Sequence, residues 1–201
     1  MRRIWLITTD HLEKDLWFRD DEDFRVGMNY VAIQAVCSPK VLVLAFILMS
    51  NHVHFLLIGT WEEVSAFIDQ FKCRYSKYMQ HRWGVKEFLR GNGVQFKEIG
   101  REDEGEERAL AYIQMNCVAA NICADPSMYS WGTGDCFFNP KKLDGKRLGD
   151  LSVRARARLL HSNSDKLPMD WQISPEGFIF PREYVGVKEV EGQLVVFDSI
   201  T

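Results

Sequence analysis

The apolar run over residues 41–59 most constrains what this chain can fold into, because only Ser50-Asn51 and two histidines interrupt it. Its β-branched content favours buried strands over a helix. Serine and asparagine are typical turn residues, and they stand at the middle of the run. The run therefore predicts a β-hairpin with strands over residues 41–49 and 52–58.

The other periodic segments extend this hairpin into a regular order of strands and helices. Thr60 and Glu63 have the spacing of a capping box, which marks the start of an amphipathic helix that ends near Gly84. Strands are predicted over residues 3–9 and 94–99, and helices over residues 24–37, 60–84 and 106–123. The order β-α-β-β-α-β-α predicts an α+β fold: a ferredoxin-like βαββαβ core with an antiparallel sheet, a further helix after the last strand and a C-terminal extension.

The composition of the chain restricts the classes of function that it can have. The formal net charge of the 201 residues is -3, which argues against a surface that grips nucleic acid everywhere but allows a local basic groove. Five scattered cysteines without a CxxC pair indicate reduced thiols and no cysteine zinc site. Asp10 ends the N-terminal apolar patch too early for a signal peptide or a membrane span. We therefore expect a soluble cytoplasmic protein with no membrane partner.

His52 and His54 are unusual in an apolar strand. Alternate strand side chains share a face, so both imidazoles point the same way and could ligate one metal ion. The simpler interpretation of so short a pattern is two hydrogen-bonded or exposed histidines. The apolar residues 55–58, however, indicate a strand buried on both faces, where each unsatisfied polar group costs about 1–3 kcal/mol. The two imidazoles therefore need polar or metal partners.

The last predicted helix can supply such partners. Two helices on one face of the sheet leave the other face to be covered by residues 106–123. Tyr112 and Asn116 lie four residues apart, on one side of that helix. Taken alone, Tyr112 is more simply a core tyrosine, but together with the histidine pair it is a candidate catalytic group. Gln114 and His11 are interpreted as an ordinary helix residue and an ordinary surface or capping histidine.

These two motifs resemble those of a known family. "MSNHVHFLL" (residues 49–57) resembles the His-hydrophobic-His motif of the insertion-sequence-200-like single-tyrosine HUH transposases. "AYIQMNCVAANIC" (residues 111–123) resembles the tyrosine-helix motif of the REP-associated tyrosine transposases, Y-I-x-x-N-P-V-x-A, with Cys117 in place of the proline. The resemblance implies a catalytic domain at residues 1–131 and a partly helical C-terminal appendage of unassigned role at residues 132–201.

The resemblance also implies a mechanism. Tyr112 would attack a phosphodiester of single-stranded, hairpin-forming DNA, leaving a 5′-phosphotyrosine and a free 3′-hydroxyl. His52, His54 and Asn116 would hold Mg²⁺ or Mn²⁺, which stabilises charge on the phosphate and on the leaving oxygen. The implied function is a transposase that cleaves and rejoins strands, in transposition or in processing of repeated hairpin elements. The family includes homodimers that exchange the tyrosine helix and monomers that keep it, and both arrangements stay open here.

Candidate DNA contacts are less specific. Basic side chains mixed with aromatic ones suit single-stranded DNA, although a solvated helix face explains the charges equally well. The candidates are Arg2, Arg3, Lys72, Arg74, Lys77, Arg82, Arg154, Arg156 and Arg158. Two other functions compete with the transposase: a DNA-binding protein that keeps the fold without chemistry, and a metal-dependent phosphoesterase that uses water as nucleophile.

Overall fold

The core of the computed structural model, which describes residues 1–13, 16–100, 105–138, 145–162 and 166–186, is a four-stranded antiparallel sheet. Its order is β2-β3-β1-β4. The strands are β1 (Arg3–Thr9), β2 (Leu42–Met49), β3 (His52–Gly59) and β4 (Val94–Ile99). Helices α1 (Asp21–Cys37) and α2 (Trp61–Trp83) form the two crossovers. This arrangement confirms the expected α+β fold with a ferredoxin-like sheet.

Local signals define both ends of α2. The Thr60 hydroxyl accepts from the backbone N–H of Glu63, whose carboxylate accepts from the backbone N–H of Thr60. This capping box satisfies two amides that the first helical turn leaves without partners. Gly84 ends the helix with φ at +70°, a conformation that glycine adopts without a steric penalty.

The two faces of the sheet are covered by different helices. Alternate residues of β3, namely Val53, Phe55 and Leu57, pack in one hydrophobic cluster with α1 and α2. The other face is covered by α3 (Gly105–Ala119), which packs on a second cluster that includes Leu56. Because side chains alternate along a strand, the histidines of β3 lie on the face covered by α3.

Helix α3 is shorter than the sequence predicts. The expected range of residues 106–123 was wrong at its C-terminal end, because Asn121 takes a left-handed conformation with φ at +55°. The backbone N–H of Ile122 then donates to the carbonyl of Cys117 at 2.9 Å. This is a Schellman ending, which asparagine tolerates better than other side chains except glycine.

The chain after α3 packs back onto the sheet. The backbone N–H of Leu48 donates to the carbonyl of Trp131 at 2.9 Å, and that of Thr133 donates to the carbonyl of Phe46 at 3.0 Å, so residues 131–133 cover the outer edge of β2. Beyond them lie short elements: α4 (Gly134–Phe138), β5 (Lys146–Arg147), α5 (Val153–Leu160) and β6 (Gln172–Ile173). Helix α5 carries the candidate residues Arg154, Arg156 and Arg158.

The C-terminal residues contribute to the main core. Leu148, Leu160 and Ile179 belong to the same hydrophobic cluster as α1. The division of the chain at residue 131 stays a prediction, and residues 139–144, 163–165 and 187–201 of the expected appendage lie outside the described part. None of the helices in the described ranges combines the length and the apolarity needed to cross a membrane.

Candidate active site

The two histidines of β3 lie side by side under α3. His52 is 6% exposed and His54 is 1% exposed. Their ring centroids are 4.7 Å apart, with an angle of 87° between the ring planes. The period of the strand thus brings both imidazoles to one buried position, as the alternation predicts.

Each imidazole is oriented through its Nδ1 atom. His52 Nδ1 lies 2.8 Å from Asn51 Oδ1, and His54 Nδ1 lies 2.9 Å from Thr8 Oγ1. The second contact follows from the sheet register, in which Thr8 of β1 is opposite His54 of β3. The Asn51 oxygen can only accept, so His52 Nδ1 carries the proton. Where the Thr8 hydroxyl accepts from His54 Nδ1 in the same way, Nε2 of both rings is available for a metal ion.

The Nε2 atom of His54 is an unsatisfied buried nitrogen. It makes no hydrogen bond to any residue in the described ranges. An unmet buried polar atom costs about 1–3 kcal/mol, so its retention needs a reason. An electrophile that binds there, such as a metal ion, would satisfy the lone pair.

Both histidines are neutral at neutral pH. Burial is the main cause that lowers the pKa of His52 to about 4 and the pKa of His54 to about 3. Neighbouring imidazoles lower both pKa values further, whereas the Asn116 amide raises them slightly. Neutral imidazole is the form that ligates a metal ion, so the site does not lose protons to bind one.

Tyr112 and Asn116 come to the histidine pair from α3. The edge of the Tyr112 ring faces the His54 imidazole, with centroids 5.2 Å apart and an angle of 81° between the planes. Half of Tyr112 (51%) is exposed, so its hydroxyl is open to a substrate. Asn116 lies one turn later, and its Nδ2 donates to the Tyr112 carbonyl at 3.2 Å. That bond leaves the amide oxygen of Asn116 free to face the imidazoles.

Buried hydrogen bonds hold α3 in its position over the histidine pair. Gln114 Nε2 donates to Thr133 Oγ1 at 2.9 Å, and the Thr133 hydroxyl donates to the Phe46 carbonyl at 3.1 Å. Gln114 is a helix residue, as expected, but it is only 4% exposed and its hydrogen bond is buried. Its partner lies beyond α3 in sequence, which no local pattern could have indicated.

His11 also belongs to this site. Its ring stacks on His52, with centroids 3.9 Å apart and planes 20° from parallel. The chain leaving β1 is held there by the backbone N–H of Leu12, which donates to the Asn51 carbonyl at 2.9 Å. His11 is exposed, as expected of a surface histidine, but its contact with His52 was not predicted. Metals bind imidazole in the ring plane, so two stacked rings do not converge on one ion, and His11 instead covers the outer face of His52.

The residues present suit a mixed nitrogen and oxygen site. In the described ranges, no group of three or more His, Cys, Asp or Glu side chains is arranged to hold a metal ion. A metal ion held here would be bound by the two imidazoles and the Asn116 amide oxygen. The unsatisfied Nε2 of His54 is the observation that fits such an ion.

An open cleft of about 590 Å³ adjoins Tyr112. Strands β1 and β4 form its floor, and α3 forms one wall. Its lining combines polar, cationic and apolar side chains, including Thr8, Gln95, Lys97, Ile99, Arg108 and Tyr112. Sequence reasoning missed Lys97 and Arg108, because Lys97 lies on β4 and Arg108 on α3, and only the packing of the helix over the sheet brings both to the cleft.

The basic residues of α2 lie on the other side of the sheet from the histidine pair. Arg82 contacts Asp20 and Asp23, and the Arg74 guanidinium lies 5.7 Å from the centre of the Tyr30 ring. Lys72 donates to the Asn92 carbonyl, whereas Lys77 is exposed. These contacts give Arg82, Arg74 and Lys72 structural roles, and their proposed DNA contacts stay predictions.

The other predicted DNA contacts are spread over the molecule. Arg3 forms an ion pair with Glu98, and Arg2 is exposed at the start of the chain. On α5, Arg156 donates to the Leu151 carbonyl at 2.7 Å. Arg154 and Arg158 of the same helix are exposed, and their DNA contacts stay predictions as well.

Fold and site together define a ferredoxin-like sheet that carries a histidine pair beneath a tyrosine-bearing helix. No protein-family model matches the sequence, and no curated protein matches it either. One solved structure with a similar fold is that of a REP-associated tyrosine transposase bound to a REP hairpin. It is 14% identical, the match covers 67% of this chain and 78% of that chain, and the TM-score is 0.49. Residue roles are not transferred across so distant a similarity.

Proposed function

We propose that this protein is a metal-dependent enzyme that cleaves and rejoins single-stranded DNA through a phosphotyrosine on Tyr112. The observation that carries the proposal is the contact of the half-exposed Tyr112 ring with the buried His54, whose Nε2 lacks a partner in the described ranges. A tyrosine beside a neutral imidazole pair and an amide suits attack on a phosphodiester.

His52, His54 and Asn116 would hold the metal ion, Mg²⁺ or Mn²⁺. The two imidazoles are neutral because burial lowers the pKa of each, so they bind without competition from protons at neutral pH. Bound there, the ion would supply positive charge beside the phosphate. Thr8 and Asn51 orient the two rings.

The reaction is a balanced exchange of phosphate esters. The Tyr112 oxygen forms a bond to phosphorus while the bond from phosphorus to the 3′ oxygen breaks. The phenol proton leaves to solvent, since Tyr112 is half-exposed, and the 3′ oxygen takes up a proton. An ordinary phenol has a pKa of about 10, so loss of its proton needs positive charge nearby. Because one phosphoester replaces another, the reverse attack by a 3′-hydroxyl rejoins strands without ATP.

The substrate proposed from the two sequence motifs is a single strand with hairpin-forming ends. Such strands occur at the ends of elements that are excised and rejoined. The specific enzyme that we propose is therefore a transposase. The matching pair of motifs, with Tyr112 and Asn116 in one and His52 and His54 in the other, supports this substrate class.

The proposal is tested by detecting a covalent adduct between the protein and the DNA strand. The full chain is incubated with labelled hairpin-ended single strands and Mn²⁺, and a denaturing gel separates protein that carries label. The wild type is expected to form the adduct, and Tyr112→Phe is expected to form none. Tyr184→Phe is the matched control, since the Tyr184 hydroxyl has no hydrogen-bond partner in the described ranges.

An adduct that persists in Tyr112→Phe would refute the assignment of the nucleophile. Hydrolysis without any adduct in the wild type would identify water as the nucleophile and a phosphoesterase as the activity. Binding of the strand with no cleavage in Mg²⁺ or Mn²⁺ would identify a DNA-binding protein that keeps this fold.

A further inference from the structure

We infer that the cleft between α3 and strands β1 and β4 is the binding groove for the unpaired strand next to the reacting phosphate. This inference rests on the proposed function, because it takes the ligand to be a single-stranded polynucleotide. It concerns residues that have no part in the chemistry, chiefly Lys97 and Arg108.

The position of α3 creates the cleft. The helix is tied to β2 through Gln114 and Thr133, and it approaches β4 less closely. The half of the sheet formed by β1 and β4 is therefore left open beneath its N-terminal part. The resulting space of about 590 Å³ runs up to Tyr112.

Tyr112 connects the cleft with the histidine pair. Its ring contacts His54 on one side and lines the cleft on the other. A phosphate held between Tyr112 and the imidazoles would therefore have the cleft directly beside it. A polymer is favoured over a small anion because the cleft continues away from the reacting position along β4.

The lining fits the chemistry of a single strand. Alternation along β4 directs Gln95, Lys97 and Ile99 to the cleft, because Phe96 packs in the core on the other face. Arg108 lies one helical turn before Tyr112, so both are on the same side of α3. Cations at two walls can contact successive phosphates, while apolar side chains such as Ile99 pack against sugars or bases.

Among the described residues, one acidic side chain lines the same cleft. It is that of Glu98, which forms an ion pair with Arg3, and both side chains are about half exposed. Lys97 and Arg108 bring two positive charges to the lining. This local charge is compatible with the net charge of -3 of the whole chain.

Binding of a short fluorescent single strand, measured with EDTA present, tests the groove without any cleavage. Lys97→Gln and Arg108→Gln are each expected to weaken binding several-fold. Each is also expected to reduce the slope of log K against log salt concentration by about 0.7, the value for one phosphate contact of a single strand. Arg108→Lys keeps the charge and is expected to keep most of the affinity, which separates a charge effect from a packing effect.

Lys40→Gln is the matched control, because Lys40 is an exposed lysine just before β2, at the opposite edge of the sheet from β4. It is expected to leave the affinity unchanged. Unchanged affinity in both cleft variants, an equal loss in the control, or tighter binding of the matching duplex would each overturn the inference.

Adduct formation separates failure of the groove from failure of the proposed function. In an active enzyme, Lys97→Gln is expected to raise KM for the strand several-fold and leave kcat unchanged, whereas an unchanged KM would refute the groove alone. If the wild type forms no adduct with any divalent ion but the cleft variants lose strand binding, the groove stands and the proposed chemistry fails.

Discussion

The edge of the Tyr112 ring faces the His54 imidazole at a centroid distance of 5.2 Å, and both residues belong to the same chain. Helix α3 and strand β3 are far apart in sequence, and the tie from Gln114 to Thr133 helps to hold the helix in place. The fold thus brings the candidate nucleophile and the histidine pair together within one chain. Three predictions concern the surroundings of this contact and a fourth concerns Arg82, and each can be measured on the full chain.

Removal of one imidazole is expected to abolish most metal binding. His54→Ala deletes a buried ligand that carries an unsatisfied nitrogen, so affinity for Mn²⁺ should fall at least about 10-fold, the lower limit seen when even an outer-shell partner is lost. Isothermal calorimetry or the electron paramagnetic resonance signal of free Mn²⁺ measures the change. His81→Ala removes an exposed histidine of α2 and should leave the affinity unaltered. Equal affinities of His54→Ala and the wild type would exclude His54 as a ligand.

Thr8 is expected to act as a positioning residue for His54. Thr8→Val keeps the shape of the side chain but removes the partner of His54 Nδ1, so Mn²⁺ affinity should fall by about 10- to 100-fold. Thr8→Ser retains the hydroxyl and should restore most of the affinity. Circular dichroism checks that both variants keep the fold. A Thr8→Ser variant as weak as Thr8→Val would show that packing, and not the hydrogen bond, is the cause.

The stability of the metal-free protein is expected to decrease in acid. In the folded state the pKa of His52 is about 4 and that of His54 is about 3, both below the ordinary value of 6.5, chiefly through burial. Between the folded and the ordinary pKa values the unfolded chain binds more protons than the folded chain, so the free energy of unfolding rises with pH and levels off above about 6.5. A pKa that differs by one between the folded and the unfolded chain changes this free energy by roughly 1.4 kcal/mol.

Urea unfolding at a series of pH values in EDTA measures this dependence. In His52→Gln and His54→Gln, the free energy of unfolding should vary less between pH 4 and 6.5 than in the wild type. A wild-type curve as flat as those of the two variants would show that the two imidazoles titrate normally.

Arg82 is expected to stabilise the fold and not to bind DNA. Its guanidinium contacts the fully buried carboxylate of Asp23, which also accepts from the Tyr78 hydroxyl at 2.8 Å. Arg82→Met should lower the free energy of unfolding by about 2–3 kcal/mol, less than for a fully buried pair because 28% of the Arg82 side chain is exposed. Arg154→Met removes an exposed charge and should change it by less than about 0.5 kcal/mol.

Strand binding of the same two variants separates the two roles. If Arg82→Met weakened binding of single-stranded DNA while its stability stayed that of the wild type, the residue would be a DNA contact and the structural interpretation would be wrong.

Local signals were sufficient for the elements that carry their own boundaries. The capping box at Thr60 and the glycine at position 84 defined α2, and the period of two defined which face of β3 bears the histidines. The end of α3 could not be predicted in this way, since it depends on the left-handed conformation of Asn121. The short elements after α3 exist because residues 131–133 hydrogen-bond to β2, which is a tertiary contact.

The partners of the site depended on the sheet register and not on sequence spacing. Thr8 meets His54 because β1 pairs with β3, and His11 then stacks on His52 where the chain leaves β1. The charge of a basic residue was equally uninformative about its role, because that role depends on tertiary contacts. Arg82 and Lys97 are both single basic residues in the sequence, yet one is tied to a buried carboxylate and the other lines the open cleft.

The register at the turn of Ser50 and Asn51 determines on which face of the sheet each side chain of β3 lies. One residue inserted before His52, with the pairing of β3 otherwise kept, would move every side chain of the strand to the opposite face. The imidazoles would then point into the core beneath α1 and α2, and Val53 and Phe55 would face Tyr112. A one-residue register shift of β3 is therefore equivalent to deleting both histidines, although no reacting residue changes.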